Sequence, residues 1–180
     1  MKNYKKDLYR YYGEKGETLK NKLKRPLEIR YIILLRKLKN CKNKIVKVVY
    51  RFRLRKLGER SHIAIFPETQ IGEGLYIGHT GRVIVNFNAV LGKNVNLSTG
   101  VTIGAESRGI RKGAPTIGNR VWIGTNAVIV GNISIGDDVM IAPNAFVNFD
   151  VPAHSIVLGN PAKIISRDNA TEGYILNEVE

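Results

Sequence analysis

His79 lies where a regular pattern in the sequence is interrupted. From Ile65 to Val147 an aliphatic residue recurs every six positions with two exceptions, and one of these is the eight-residue interval between Ile77 and Val85 that contains His79. A neutral imidazole can remove the proton of an alcohol near neutral pH. His79 is therefore the candidate general base of the chain, and a polar corner residue without a chemical role is the alternative.

Cysteine and the other two histidines offer no competing site. The single cysteine, Cys41, excludes a disulfide framework or a cysteine-based zinc site within one chain. His62 precedes the regular pattern and His154 follows it, so we expect ordinary structural roles for both. No Cys- or Ser-centred triad is apparent. The sequence therefore favours a reaction that uses a general base without a covalent enzyme intermediate, and it predicts no metal.

The six-residue period extends through thirteen hexads. Gly, Asn or Asp holds the fourth position in nine of them, and these residues best tolerate the positive φ of a tight corner. Aliphatic first positions and small fifth positions suit a narrow interior. A short strand and a corner in each hexad build a triangular prism with about 18 residues per coil. The pattern predicts a mainly β fold, a left-handed parallel β-helix of a little over four coils within residues 61–165.

Stacking of these coils predicts a column of residues above His79. Hexads three apart lie on the same face of the prism, with neighbouring strands about 4.8 Å apart. The third positions in the hexads above His79 are Thr99, Thr125 and Pro143. An extended ligand could therefore run along this column from His79 toward the C-terminus.

The second exception to the period predicts a loop. Ile103 and Ile117 are fourteen positions apart, so eight extra residues leave the prism within residues 104–116. This loop carries Arg108 and Arg111 between glycines. It could close over a bound substrate, or it could be a solvated surface loop.

Trp122 is the only tryptophan and lies at a sixth position, where the side chain points outward. The sixth positions on its face form a second column with Tyr76, Asn96 and Met140. We expect this column to line either a subunit interface or the groove of the acceptor substrate.

The first 60 residues differ in charge from the rest of the chain. Residues 1–60 contain 21 Lys and Arg and 5 Asp and Glu, whereas residues 61–180 contain 8 and 10. Two stretches have helical spacing of apolar residues: Leu27, Tyr31, Leu34, Leu35 and Leu38, with Pro26 in the first turn, and Ile45, Val48, Val49 and Phe52. We therefore predict a basic α-helical segment at 1–60, the β-helix at 61–165 and a C-terminal tail at 166–180.

The basic segment has several possible partners. Its helices could pack on the β-helix or on sister subunits, with a solvated basic face. They could instead bind anionic lipid headgroups or a lipid-linked acidic glycan. We do not expect nucleic acid as a partner, because the sequence has no helix-turn-helix, zinc-finger or aromatic RNA-binding signature.

Apolar runs in the sequence are short, and the longest, Tyr31 to Leu35, is too short to span a bilayer. The N-terminus also lacks the apolar core of a signal peptide. We expect a cytoplasmic protein, with peripheral association at the inner face of the membrane as a further expectation.

Three stretches of the chain closely resemble the hexapeptide-repeat acyltransferases, and within them the serine O-acetyltransferase branch. They are IGHTGRVIVNFNAVLGKNVNLSTGVTIG, PTIGNRVWIGTNAVIVGNISIGDDVMIAPNAF and VPAHSIVLGNPAKI. The resemblance implies a homotrimer that binds acetyl-CoA in grooves between neighbouring subunits, with His79 as general base. It implies main-chain contacts to CoA at Gly104, Ala105, Thr125 and Pro143. It also implies that Lys163 lies near the CoA phosphates, although Lys163 could be a simple surface charge.

Three departures from the branch concern the acceptor. Where serine acetyltransferases have an Asp that orients the base, an Asp that contacts serine and an Arg-His pair that also contacts serine, this chain has Ala64, Gly78 and Gly113-Ala114. A charged amino acid needs paired ionic groups for recognition. We therefore expect acetyl-CoA-dependent O-acetylation of a saccharide hydroxyl in surface glycan biosynthesis. The alternatives are serine O-acetylation in cysteine biosynthesis and a non-catalytic scaffold or membrane-binding protein.

Overall fold

Residues 63–166 form a solenoid of short strands in the computed structural model, which describes residues 3–180 of the chain. Each strand is two to four residues long, because a corner follows every short extended stretch. The strands are β1 (Ile63–Ile65), β2 (Gln70–Ile71), β3 (Tyr76–Ile77), β4 (Val83–Val85), β5 (Val90–Leu91), β6 (Asn96–Leu97), β7 (Thr102–Gly104), β8 (Thr116–Ile117), β9 (Val121–Ile123), β10 (Val128–Val130), β11 (Ser134–Ile135), β12 (Val139–Ile141), β13 (Phe146–Val147), β14 (Ser155–Leu158) and β15 (Lys163–Ser166).

The strands form three parallel sheets, which are the faces of a prism. Face 1 has the order β1-β4-β7-β10-β13, face 2 the order β2-β5-β8-β11, and face 3 the order β3-β6-β9-β12-β14. The final strand, β15, pairs with β14 in the antiparallel direction. Aliphatic first positions such as Ile77, Ile103 and Ile123 fill the interior with no exposed area. The mainly β, left-handed parallel β-helical fold predicted from the hexads is confirmed.

Fourth positions of the hexads have the expected positive φ at two of the three edges of the prism, whereas Asn88, Asn132 and Asp150, at the edge between face 1 and face 2, do not. Asn94, Asn126, Asp138 and Asn144 have φ between 54° and 62°, and Gly100 has φ 79°. Each of these residues turns the chain from one face of the prism to the next. The left-handed backbone at these corners explains why Asn, Asp and Gly recur in the sequence.

The solenoid is longer than the sequence pattern indicates. The regular hexads end at Val147, but Val151 forms a parallel bridge with Ile135, and Val157 pairs with Ile141. Val147 and Val151 are only four positions apart, so a search for a six-residue period stops before them. The prism therefore has about five coils instead of a little over four.

Four α-helices precede the solenoid within residues 3–61, two more than the apolar spacing predicts. They are α1 (Asn3–Tyr12), α2 (Leu19–Leu23), α3 (Leu27–Lys39) and α4 (Lys44–Ser61), with a 3₁₀ turn at Gly13–Lys15. Pro26 is the N-cap of α3 and so lies just before its first turn, and Asn43 caps α4 by accepting from the N–H groups of Ile45 and Val46. Within residues 3–180, none of the helices has the length and apolar composition of a membrane-spanning segment.

The helices are joined to the first coil by buried polar contacts. The Tyr31 hydroxyl donates to the Ile65 carbonyl and accepts from the Ile65 N–H, at 2.9 and 3.0 Å. Arg36 pairs with Asp7 at 2.8 Å and also donates to the carbonyls of Ile71 and Gly72. The hydrophobic core is continuous from α3 into the solenoid. The helical segment therefore closes the N-terminal end of the prism.

The C-terminal segment folds back along the solenoid. Asp138 is buried and accepts hydrogen bonds from the Thr171 hydroxyl at 2.6 Å and from the N–H groups of Ala170 and Thr171 at 3.1 Å. The Nδ1 atom of His154 lies 2.9 Å from the same carboxylate. His154 thus has a structural position, as the sequence predicts. Burial acts to raise the pKa of Asp138, but the hydrogen bonds from Thr171 and His154 outweigh it and leave the pKa below its usual value of 3.8.

Acid should release this C-terminal segment. Because the pKa of Asp138 is lowered in the folded state, its ionised form contributes stability above the unfolded value of 3.8, and that contribution is lost as the pH falls through the lower folded value. Trp122 packs on Tyr174 of the segment, with ring centroids 4.9 Å apart, so tryptophan fluorescence should report the release. We expect a fluorescence transition below about pH 4 in the wild type, whereas Asp138→Asn, which has no carboxylate to protonate, should show the signal of the released segment already near neutral pH and lack this transition. A transition unchanged by Asp138→Asn would contradict this assignment.

Candidate active site

His79 is exposed at the corner between β3 and β4, where face 3 turns into face 1. Backbone hydrogen bonds fix the insertion on both sides: the Gly78 N–H donates to the Leu97 carbonyl at 3.1 Å, and the Gly81 N–H donates to the Ser61 carbonyl at 3.0 Å. Gly81 has φ 144°, and a Cβ there would meet the Thr99 side chain at 3.0 Å. The extra residues therefore hold the imidazole outside the prism at a defined height.

The strand register places the predicted column above His79. Ile77, Leu97, Ile123, Ile141 and Val157 are aligned in register on face 3. Two residues further along each strand come, in order, His79, Thr99, Thr125, Pro143 and Gly159, which we call the His79 column. Successive members are about 4.8 Å apart along the prism. The alignment of the three residues above His79 is confirmed.

The far end of the His79 column is closed by the turn that leads into β15. Gly159 has φ 93° and accepts a hydrogen bond from the Phe146 N–H at 3.3 Å. Lys163 is exposed and pairs in register with Leu158, the residue just before Gly159. The ammonium group of Lys163 is therefore carried by the strand next to the end of the column, at the opposite end from His79.

Gly104 and Ala105 lie at another corner. Gly104 ends β7 and pairs with Val130, so Gly104 and Ala105 are at the edge where face 1 turns into face 2. The His79 column is at the edge where face 3 turns into face 1. One chain therefore presents the two groups of predicted CoA contacts on opposite edges of face 1 and does not bring them together.

The loop 104–116 is a closed hairpin that points away from its own His79. Glu106 and Gly113 exchange backbone hydrogen bonds at 2.9 and 3.0 Å. The Arg111 carbonyl accepts from the Asn132 N–H at 2.8 Å, which fixes the base of the loop on the next coil. Ile110 at the tip is 99% exposed. Arg108 and Arg111 are also exposed, and they leave the prism at a different corner from His79.

Trp122 is covered by its own chain. The predicted column Tyr76, Asn96, Trp122 and Met140 is present in register on face 3. Tyr11 of α1 stacks on Tyr76 with ring centroids 4.4 Å apart, and Arg10 of α1 donates to the Asn96 side chain at 2.7 Å.

Tyr174 of the C-terminal segment packs on Trp122. The structure thus covers this column with the two ends of the same chain, where the sequence predicts an interface or an acceptor groove. The sixth position in a hexad predicts only that the side chain points outward. It does not predict what covers the side chain, because the covering residues are distant in sequence.

A pocket that the sequence did not indicate lies next to the corner of His79. It has a volume of about 640 Å³ and separates α4 from the outer side of β1 and β4. Ala64 and Ile84, which pair in register, form part of its wall, and Arg82 lies on its rim three residues after His79. The position at which serine acetyltransferases have an orienting Asp therefore faces this pocket. No periodic pattern in the sequence marks this pocket, because its walls come from α4 and from strands that are separate stretches of the chain.

No cluster of three or more His, Cys, Asp or Glu side chains with the arrangement of a metal site occurs in the described part of the chain. The exposed imidazole at the corner offers a base beside a solvent-exposed groove. His79 can accept a proton, and the exposed Thr125 and Pro143 leave a path along the prism for an extended ligand.

Comparisons with known proteins identify the family. The model for bacterial transferase hexapeptide (six repeats) matches residues 114–148. The serine acetyltransferase of Helicobacter pylori strain 26695 is 41% identical over 106 residues, which are 59% of this chain and 62% of that protein. The chain therefore spans less than two thirds of the length of this curated relative.

The solved structures that resemble this chain include serine acetyltransferases as well. The serine acetyltransferase of Neisseria gonorrhoeae in complex with serine is 30% identical with a TM-score of 0.74, over 91% of this chain and 68% of that one. A serine acetyltransferase in complex with CoA is 25% identical with a TM-score of 0.74, over 91% and 68%. The chain belongs to the hexapeptide-repeat transferases. The relatives described above are named serine acetyltransferases.

The prediction of a saccharide acceptor is wrong. The relatives and structural neighbours of this chain are named serine acetyltransferases, which favours the serine alternative. The prediction depended on the missing ionic groups at Ala64, Gly78 and Gly113-Ala114. Those absences exclude one way of holding serine, but a carboxylate can be held by any guanidinium within reach.

Proposed function

We propose that the protein is an acetyl-CoA-dependent serine O-acetyltransferase, an activity that supplies cysteine biosynthesis. The observation that carries this proposal is the His79 insertion, which holds an exposed imidazole at one end of an open column on the prism. Relatives with solved structures bind serine and CoA and are named for this reaction, which supports both substrates.

The proposed reaction needs only one proton carrier. His79 takes the proton of the serine hydroxyl as its oxygen attacks the thioester carbonyl of acetyl-CoA. The tetrahedral intermediate collapses by breaking the carbon–sulfur bond. The CoA thiolate takes the proton from the imidazolium, which leaves O-acetylserine, CoA and a neutral His79. The acetyl group thus passes directly from CoA to serine.

We propose that CoA lies along the His79 column. Its thioester would be near His79, its arm would follow Thr125 and Pro143, and its phosphates would be near Lys163. An ammonium group at the end of an open groove is suited to a phosphate. Gly104 and Ala105 would contact the same CoA from a neighbouring subunit, since in one chain they lie on the other edge of face 1.

We propose a homotrimer for the same reason. If three prisms stand side by side, the His79 column of one subunit meets the Gly104 edge and loop 104–116 of the next. Arg108 and Arg111 would then reach the serine carboxylate of a neighbouring site, where a guanidinium can bind it in a bidentate manner. We place the reaction in the cytoplasm, because acetyl-CoA is made and used inside cells.

The test is CoA release measured with L-serine, at a concentration where light scattering gives the mass of three chains. Ethanolamine, which lacks the carboxylate, and 3-hydroxypropionate, which lacks the ammonium group, are the matched controls. We expect kcat/KM to be at least about 10²-fold higher for serine, because a charged site left without its partner is costly. Acetyl-CoA binding without CoA release above background in the presence of serine would overturn the proposal.

A further inference from the structure

Helix α4 is apolar on two opposite sides. Tyr50, Leu54 and Leu57 follow helical spacing and pack toward α3 and the solenoid. At about 100° per residue, Phe52 lies roughly 200° around the helix from Tyr50. The second apolar side, which we call the outer stripe, therefore faces away from the rest of the protein. It consists of Ile45, Val48, Val49 and Phe52.

The outer stripe is solvent-exposed although its residues are strongly apolar. Ile45 is 78% exposed, Val48 68% and Phe52 62%. These side chains occupy positions i, i+3 and i+7 of one helix, so they form a continuous patch instead of scattered single residues. A patch of this kind on a helix marks a surface that binds another apolar phase or partner.

Basic residues flank the outer stripe on both sides. By the same helical geometry, Lys44, Arg51 and Arg55 lie on one flank of α4, and Arg53, Lys56 and Arg60 lie on the other. Of these six, Arg51, Arg55 and Lys56 form ion pairs at 3.1 to 3.2 Å on the protein surface. Surface pairs of this kind are weak and easily exchanged for another anion.

A cationic groove runs beside the stripe, between α3 and α4. Its volume is about 350 Å³, and within the described chain its lining includes six cations and no acidic residue. The six are Arg25, Arg30, Lys37, Arg53, Lys56 and Arg60. Phe52 belongs both to the groove lining and to the outer stripe, so the two features are continuous. Glu17 and Glu59, which pair with Arg25 and Lys56, lie outside the lining.

We propose that this surface docks the protein on an anionic lipid bilayer. The outer stripe enters the boundary between headgroups and acyl chains, and the cationic groove receives the phosphates of neighbouring lipids. A helix with an apolar side and Lys and Arg on its flanks is typical of proteins that lie in the membrane interface. The excess of 21 basic over 5 acidic residues in residues 1–60 attracts the same surface.

Charge disfavours a second copy of the chain as the occupant, because two grooves with six cations each would repel one another. Nucleic acid would satisfy the cations but offers no aliphatic phase for Ile45, Val48 and Val49. The bilayer satisfies both halves of the surface at once. The proposal is independent of the identity of the acceptor substrate.

The test is flotation of the full-length protein with vesicles. Neutral phosphatidylcholine vesicles are compared with vesicles that contain about a third phosphatidylglycerol, at about 0.05 M and about 0.5 M NaCl. We expect binding to anionic vesicles at low salt, at least about tenfold weaker binding at high salt, and weak binding to neutral vesicles. Equal binding to both vesicles, or none to either, overturns the proposal.

Paired variants separate the two halves of the surface. Arg53→Gln/Arg60→Gln should lower the vesicle partition coefficient about tenfold, whereas Lys93→Gln/Arg167→Gln, which removes the same charge elsewhere, should change it less than about twofold. Val48→Ser/Phe52→Ser should also lower it about tenfold, and Ile165→Ser/Leu176→Ser is its control.

Circular dichroism and light scattering check that each variant keeps its fold and mass. If Val48→Ser/Phe52→Ser binds the vesicles as strongly as the wild type does, the outer stripe does not enter the membrane. The binding is then non-specific adsorption, and the proposal is overturned. A stripe variant that loses oligomeric mass, with no vesicle binding by the wild type, would identify a second copy instead. If the wild type and the stripe variant both bind duplex DNA and neither binds vesicles, the partner of this surface is nucleic acid.

Discussion

Replacement of His79 by alanine should lower kcat for acetyl transfer by about 10²–10⁴-fold, the usual contribution of one general base. The imidazole is exposed at the end of the His79 column, and the bonds that hold its corner involve the backbone of Gly78 and Gly81. The substitution should therefore leave the fold and the KM for acetyl-CoA nearly unchanged. Steady-state CoA release over a range of acetyl-CoA concentrations measures both quantities.

The control for this experiment is His62→Asn. His62 has φ 57° at the end of α4, and asparagine is the substitute that best keeps that backbone. We expect His62→Asn to retain kcat within about twofold. Near-normal turnover of His79→Ala would remove His79 from the mechanism.

The prism and its corners were predictable because their cause is local. A positive φ at Asn94 or Asn126 depends on a single residue, and an aliphatic side chain at Ile103 fills its own coil. The stacking of the coils then follows from the six-residue period, so the sequence alone predicts the alignment of His79, Thr99, Thr125 and Pro143. The same counting ended at Val147, where a four-residue corner replaces the hexad.

Contacts between distant parts of the chain were not predictable. Helix α1 has few aliphatic residues and is anchored by the buried side chains of Asp7 and Arg10. Charged side chains are usually exposed to solvent, so the sequence does not predict this burial. The cover over Trp122 comes from Tyr174, more than fifty residues later. The local sequence pattern of neither segment predicts which part of the prism it contacts.

The acceptor was mispredicted for a related reason. Ala64, Gly78 and Gly113-Ala114 were compared one by one with the positions that hold serine in the resembling branch. A recognition site is a set of charges in space. The comparison left out Arg82, which lies in the same interval as His79, and it did not weigh Arg108 and Arg111 of loop 104–116 against the missing pair. The absence of the expected charged residues at matched positions is therefore weak evidence against binding of a small charged substrate such as serine.

Arg36→Leu should be the most destabilising single substitution in the helical segment. Arg36 and Asp7 form an ion pair whose side chains are 3% and 1% exposed, and Arg36 also donates to two carbonyls of the first turn of the prism. Removing one partner leaves a buried charge and unpaired acceptors, which costs about 3–5 kcal/mol. Urea unfolding at fixed protein concentration measures this loss.

Two controls give the Arg36→Leu result its meaning. Arg51→Leu breaks an ion pair whose side chains are 57% and 56% exposed, and it should cost less than about 1 kcal/mol. Asp7→Leu/Arg36→Leu removes both charges and should recover part of the loss, because no unpaired charge remains. A cost for Arg36→Leu equal to that of Arg51→Leu would show that the buried pair does not hold the helices on the prism.

The loss of unfolding free energy in Arg36→Leu should also depend on pH. Burial raises the pKa of Asp7 above its usual 3.8, with Arg36 acting in the opposite direction. Without Arg36 that pKa rises further, so the folded state holds a proton that the unfolded state releases above 3.8. The free energy of unfolding then falls as the pH rises through the folded pKa. We expect the cost of Arg36→Leu to be clearly smaller near pH 4 than near pH 7, and a cost independent of pH would mean that Asp7 finds another partner.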